Sequence, residues 1–295
     1  LEAMPDGGVF VVAAPMAPLR CPPAPYERVS LVANYFKRAK PRSKIILLDG
    51  NPDIASKKAL FTAAWSRHYG FGTDDSLIDY RPNNIPSRID AKGMQLSTDF
   101  DDVKADVINL IPPMRAGAIT GPIGARTGDN GTWCPVDYRT YESTEVANVH
   151  ILGDAILSNL SKAAALANNS GTLCATALIE IFNGRQPDPA PVVTSTCYSA
   201  SSDREAFHVA TVFRYDPATQ SMEVQLTRPV AKRWSSSIAP RLRRGARSSA
   251  APVITVILAP GSATGRRGAH LPVVAARPLP DTVDAQGVRA VPPPR

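Results

Sequence analysis

Hydrophobic positions along the chain fall into runs whose period identifies them. Residues 8–14 (GVFVVAA) form a short unbroken apolar run, as expected of a strand buried on both faces of a parallel sheet. After a proline-rich stretch, Val29, Val32, Ala33 and Phe36 recur at i, i+3, i+4 and i+7, which places them on one face of a helix. Lys37, Arg38 and Lys40 suit the negative end of that helix, and Pro41 stops it. Lys44–Asp49 (KIILLD) is a second buried run. Strand, helix and strand in this order fit one crossover unit of a parallel sheet. A second helix is expected after the cap candidate Asp53, ending near Gly70.

Further along, alternating pieces at 77–80 and 94–97 suit a small antiparallel layer. Residues 105–111 (ADVINLI) read as another buried strand, closed by Pro112 and Pro113. A Gly/Pro/Thr-rich loop at 116–132 leads into Trp133 and Cys134. Residues 149–152 form a strand that runs into Gly153-Asp154-Ala155, and a long helical stretch then reaches Phe182, stopped by Asn183-Gly184. The alternation of strands and helices predicts an α/β fold. No apolar run approaches the roughly 20 residues of a membrane-spanning helix.

Composition changes this picture in one place. The formal net charge is +7, yet from Arg228 onward eleven Arg and Lys232 face only Asp281 and Asp284. The first 227 residues are therefore mildly acidic, with no electrostatic reason to bind nucleic acid. The segment 228–295 holds ten prolines and a single aromatic, Trp234, too little large apolar surface to offset chain entropy. It reads as a disordered or out-of-frame extension, or else as a phosphate-binding tail through Arg241, Arg243, Arg244 and Arg247. Only 253–258 within it has strand character. The chain opens at Leu1 with no basic-then-apolar leader, so a targeting signal is expected to have been lost or never present.

The first crossover unit has the outline of a dinucleotide-binding domain, but not its loop. In such a domain the first strand-to-helix turn is glycine-rich, so that backbone amides approach a diphosphate. Here the turn carries Pro15, Pro18, Pro22, Pro23 and Pro25, and no GxGxxG occurs in the chain. Proline offers no N–H, so NAD is not expected. Asp49 stands where a ribose-binding acid would. The loop offers instead Cys21, near a helix start that favours its thiolate, and Glu27. Glu27 is equally readable as a solvated helix acid. Cys174 and Cys134 read as core or surface thiols, Lys162 as a surface lysine more readily than a flavin contact. His68, His150, His208 and His270 lack ligand spacing, so no metal site is proposed. The strand–Gly-Asp–helix junction at 152–155 suits a flavin: glycine permits close backbone approach, and the carboxylate can accept a ribityl hydroxyl.

Taken in order, CPPAPYER (21–28), KADVINLIPPMRAG (104–117), GTWCPVD (131–137), VHILGDA (149–155) and STCYS (195–199) resemble the flavoprotein subunit of flavocytochrome c sulfide dehydrogenase. That family is related to sulfide:quinone oxidoreductases and to glutathione-reductase-type flavoenzymes. The resemblance covers about residues 5–227. It implies FAD as cofactor, a redox-active pair at Cys21 and Cys197, Glu27 as an acid/base near the flavin, and Gly153, Asp154 and Ala155 as cofactor-binding residues. It further implies sulfide or polysulfide as substrate, a c-type cytochrome subunit as partner, and a periplasmic location. The implied architecture is a glutathione-reductase-like two-nucleotide-fold flavoprotein without its first FAD-binding half. Its parts would be a Rossmann-like three-layer domain at 1–115, the C-terminal part of an FAD-binding domain at 116–188, the start of a C-terminal domain at 189–227, and the tail. With the GxGxxG half absent, the chain is expected to be a truncated relative that, alone, neither holds FAD nor oxidises sulfide. A quinone acceptor and a non-catalytic remnant stay open beside this reading.

Overall fold

A strand buried on both faces must find all its backbone partners inside its own sheet. β1 (Val9–Ala14) does so by pairing in parallel with β2 (Lys44–Asp49) on one side and with β7 (Val107–Leu110) on the other. The structure, a computed structural model, describes residues 1–233 and 256–258. Between β1 and β2 lies α1 (Ala24–Ala39), whose Val29, Val32, Ala33 and Phe36 are all buried, as the periodicity required. α2 (Lys58–Tyr69) follows, ending on Gly70 in the left-handed conformation. β3 (Ile78–Arg81) then pairs in parallel with β2, giving the sheet order β3-β2-β1-β7.

Period-two alternation sorts the sheet's side chains into two cores. Phe10, Val12, Ala14, Ile45 and Leu47 point to the helices, where Tyr26, Phe36, Phe61 and Trp65 pack. Val11, Ala13 and Leu48 point to the other face, where Leu96 and Val103 meet them. Those two residues come from an antiparallel layer of β4 (Arg88–Asp90), β5 (Gln95–Ser97) and β6 (Asp102–Lys104). Helices, parallel sheet and small antiparallel sheet make the three layers expected of a Rossmann-like domain.

Several local expectations are corrected. The segment at 77–80 does not join the antiparallel layer; it supplies β3 of the parallel sheet, with Ile78 buried. β7 is only half-buried, because it lies at the sheet edge. Asp53 does not cap α2. Its carboxylate takes the Ile54 N–H and pairs with Lys58, while Lys57 occupies the cap position with φ 57° and ψ 33°. Asp49 is fully buried and its oxygens are taken: Tyr26 Oη donates at 2.8 Å, Tyr80 Oη at 3.3 Å, and Asn51 Nδ2 at 2.7 Å. It braces the β2–α2 loop, with no lone pair directed at a ribose.

The remaining elements build a second core around Trp133, Tyr141 and Ile151. A single irregular turn, α3 (Gly128–Gly131), precedes β8 (Val136–Asp137), β9 (Glu142–Ser143) and β10 (Val149–Ile151), which pair antiparallel. α4 (Ala164–Phe182) starts nine residues beyond the Gly-Asp-Ala turn rather than at it. β11 (Val192–Ala200), β12 (Glu205–Asp216) and β13 (Ser221–Arg233) form an antiparallel meander. Phe207 of β12 plugs the helix-side core, edge-on to Phe61 with ring centroids 4.8 Å apart. β14 (Val256–Leu258) pairs antiparallel with β10, inside the stretch with strand character. The rest of the Arg/Pro-rich segment beyond residue 233 lies outside the described residues. Among the described residues no helix is long and apolar enough to cross a membrane.

Candidate functional site

In an open parallel sheet, ligands collect where the strand order reverses, beyond the carboxyl ends of the strands. Here β2 and β3 step away from β1 in one direction and β7 lies on its other side, so the reversal falls between β1 and β7. The proline-rich loop after β1 enters that crevice and carries Cys21. Asn51 fastens the loop from below, donating to the Pro15 carbonyl at 3.1 Å and accepting the Ala17 N–H at 2.8 Å. Arg20 fastens it to the segment after β7, through the Arg115 carbonyl at 3.1 Å.

Cys21 has φ 51°, a left-handed conformation uncommon for a residue with a Cβ. The residue is solvent-exposed, and all four cysteines are unbridged. The meander brings Cys197 of β11 to the same cleft, close enough for the charge of one sulfur to act on the other. Burial pushes the Cys21 thiol up to about 11, and Cys197 and Glu27 add to the rise against the opposing charge of Lys57. Desolvation and these two neighbours thus work against the thiolate that a helix start favours. Glu27 sits in the first turn of α1 and accepts the Ala200 N–H at 2.8 Å, tying α1 to the end of β11. Burial raises its carboxyl above the ordinary range, opposed by Ala200, Lys57 and Arg28. Glu27 is thus a part-buried group within the cleft, not a solvated helix acid.

The second half of the site adjoins the first through the backbone. The Cys21 N–H donates to the Lys162 carbonyl at 2.7 Å. Lys162 is 4% exposed; its Nζ donates to the Ile156 carbonyl at 2.8 Å and lies 3.7 Å from the centre of the Trp133 ring. The reading of Lys162 as a surface lysine is corrected. Burial lowers its pKa to about 8, against the attraction of Asp154. Asp154 has the converse problem: burial raises it, while Arg20 and Lys162 pull it down. Arg20 Nε stands 3.7 Å from Asp154 Oδ2. Gly153 holds φ 67°, and a Cβ there would meet the Ala167 Cβ at 3.0 Å, so the close seat of α4 requires glycine. Ala155 turns inward, fully buried, and its carbonyl accepts the Cys134 N–H at 3.0 Å; it does not line the cleft.

This cleft, mouth included, has about 240 Å³ of empty space lined by Gly153, Asp154, Ser161, Lys162, Ala167 and Ser170. Asp154 Oδ1, Arg20 Nε and Trp133 Nε1 are buried there or beside it without a hydrogen-bond partner. α4 begins at its rim with no side chain capping its first N–H groups. Lys57, Arg20 and Trp133 were not singled out from the sequence as functional. Lys57 alone left a signal: Lys57 and Lys58 stand at a helix start, where acids are favoured. Cys134 and Cys174 are buried in the second core. Among the described residues no group of histidines, cysteines and acids has the arrangement of a metal site.

Two stretches of the chain match family profiles. Residues 1–112 match the one described as sulfide dehydrogenase [flavocytochrome c] flavoprotein chain, central. Residues 189–238 match flavocytochrome c sulphide dehydrogenase, flavin-binding, which indicates FAD as the cofactor. Among solved structures, a chain of the Tetrahymena thermophila mitochondrial ATP synthase F1Fo tetramer aligns with TM-score 0.58 and 13% identity, over 70% of this chain and 51% of that one. The sulfide:quinone oxidoreductase of the hyperthermophilic bacterium Aquifex aeolicus aligns with TM-score 0.54 and 12% identity, over 80% of this chain and 57% of that one. At such identities the likeness is one of fold, and the chain spans little more than half the length of these solved chains.

The cleft suits part of an FAD by its chemistry rather than by its volume: its enclosed space is about 10 Å³, room for one water. Its unpartnered carboxylate oxygen, guanidinium and indole nitrogens and uncapped helix start are the donors and acceptors that a hydroxylated, phosphorylated group would satisfy.

Proposed function

The chain belongs to the flavocytochrome c sulfide dehydrogenase flavoprotein family, and from that premise we propose that it oxidises sulfide through a Cys21–Cys197 pair set beside a bound FAD. One observation carries this reading: the loop that presents Cys21 to Cys197 is hydrogen-bonded, at Cys21 itself, to the Lys162 backbone of the cofactor cleft. Bound FAD supplies a two-electron acceptor able to release electrons singly, as a c-type cytochrome partner requires. Asp154 and the Gly153 backbone would hold its ribityl portion, and Arg20, Lys162 and the start of α4 its anionic portion.

In this reading the oxidised pair is the electrophile. Hydrosulfide attacks the Cys21 sulfur, which solvent reaches; a new S–S bond forms, the Cys21–Cys197 bond breaks, and Cys197 leaves as thiolate. Cys21 then carries the persulfide, and the electron pair of the broken bond rests on Cys197. The greater exposure of Cys21 decides which sulfur is attacked. Glu27, as a carboxylate beside Cys21, can take the proton of hydrogen sulfide, and burial, which raises its pKa, makes it the stronger base. Such a pair needs a compartment that keeps it oxidised, which fits a periplasmic protein. Within this reading, residues 1–115 are the Rossmann-like domain, 116–188 part of the FAD domain, and 189–227 the start of the domain bearing Cys197.

Peptide mapping without reductant tests the proposal. Mild oxidation of the purified chain is expected to join the Cys21 and Cys197 peptides and to spare Cys134 and Cys174. Added sulfide should then open the bridge and leave one extra sulfur on the Cys21 peptide. A bridge that never forms, or one that sulfide leaves intact, overturns the mechanism.

A further inference from the structure

Lys57 breaks two local rules at once. It adopts the left-handed conformation, which disfavours any residue with a Cβ, and it places a cation at the positive end of a helix. Neither choice helps α2. Residues that violate local preference concentrate where a function holds them. Cys21, on which the charge of Lys57 acts, has the same left-handed backbone just before α1.

What the conformation of Lys57 achieves is reach. Its Nζ crosses to the meander and donates to the Cys197 carbonyl at 2.7 Å and to Ser199 Oγ at 2.8 Å. Both acceptors belong to the strand that carries the partner sulfur. The ammonium also stands 5.8 Å from the centre of the Phe207 ring, on the neighbouring strand β12. The charged and titratable groups it faces are Cys21 on the proline-rich loop, Glu27 on α1 and Cys197 on β11; Arg28 acts on Glu27 from α1. Its charge therefore falls on a cleft that holds two thiols and a carboxyl.

We propose that Lys57 is the positioning residue of this cleft: its ammonium group, anchored on Cys197 and Ser199, presents Cys197 to Cys21 and supplies the positive charge under which Cys21 reacts. The proposal deepens the sulfide-oxidation reading and rests on it for its purpose, though not for its measurement. The hydrogen bonds place β11, and the charge favours the ionised forms of Cys21 and Glu27 against the desolvation that opposes them.

The test is the pH dependence of iodoacetamide alkylation at Cys21, followed by peptide mass in the reduced, full chain. Lys57→Gln keeps a donor for the Cys197 carbonyl and removes the charge; Lys57→Arg keeps both. The Gln variant is expected to shift the profile to higher pH and to alkylate roughly threefold to tenfold more slowly at pH 9. The Arg variant should stay within about twofold of the parent. Lys57→Met takes the place of Gln if that protein does not fold. A neutral variant whose profile overlays the parent, or an Arg variant that shifts as far as the neutral one, overturns the proposal. Absence of a Cys21–Cys197 bridge under oxidation would overturn the sulfide mechanism while leaving the alkylation result standing, so the two failures are distinguishable.

Discussion

At Cys21 three groups compete for one proton, and each can be removed singly. Glu27 raises the Cys21 thiol by its negative charge while binding the Ala200 N–H. Glu27→Gln keeps an acceptor for that N–H and removes the charge. It should therefore alkylate at Cys21 about threefold faster at pH 9, opposite in sign to Lys57→Gln; mass-resolved alkylation rates check this. Lys162 offers a stability test. Its folded pKa of about 8 lies below its ordinary value of 10.5, so between these limits the unfolded chain binds a proton that the folded chain lacks. Its contribution to stability consequently rises with pH across that window, by on the order of 2 kcal/mol in all. Urea unfolding of the cofactor-free chain at pH 8 and pH 10 should show this rise relative to Lys162→Met, whose other titrating groups are the same. Equal pH dependence in the two proteins would refute it.

At the scale of elements, the seat of α4 on the Gly-Asp-Ala turn decides the shape of the cofactor cleft. Gly153 donates to Ser170 Oγ at 3.2 Å and lies against Ala167. Gly153→Ala adds both a strained φ and a close contact, and should cost about 1–3 kcal/mol in urea unfolding. Ala167→Gly in the same protein should restore the contact part of that loss but not the backbone part. The periodic reading worked at this scale wherever an element buries one face: β1, α1 and β2 lie where their patterns put them. It failed for β3, since a four-residue strand carries too few positions to tell a parallel edge from an antiparallel layer.

At the scale of the whole molecule, the site exists because the meander is clamped to the helices of the Rossmann-like layer. Glu205 of β12 pairs with Arg67 at 2.5 Å and with His68, both on α2; Tyr69 Oη donates to the Ser201 carbonyl at 2.5 Å. Burial pushes Glu205 up, but Arg67, His68 and Ser201 together outweigh it and hold the carboxyl below its usual range. The clamp is therefore present above the ordinary carboxylate pKa and is lost as pH falls through the lowered one. Glu205→Ala should destabilise the chain by about 1–2 kcal/mol, discounted for partial exposure. It should also speed amide exchange in 197–201 and slow Cys21–Cys197 bridging. Unchanged exchange in that segment would show that Phe207 and Lys57 hold the meander without it.

The sequence by itself determined the elements with long-range regularity, the proline-for-glycine exchange in the first loop, and the Gly-Asp-Ala turn. Each depends on neighbours a few residues away, and local sterics and periodicity suffice to read them. Only packing shows that Cys197 lies near enough to act on Cys21, that desolvation raises the Cys21 thiol, that Asp49 is spent on Tyr26 and Asn51, and that Lys162 is buried on Trp133. A side chain's ionisation and availability depend on which distant segments remove its water and meet its charge. Those segments are chosen by strand order and packing, which no local pattern records.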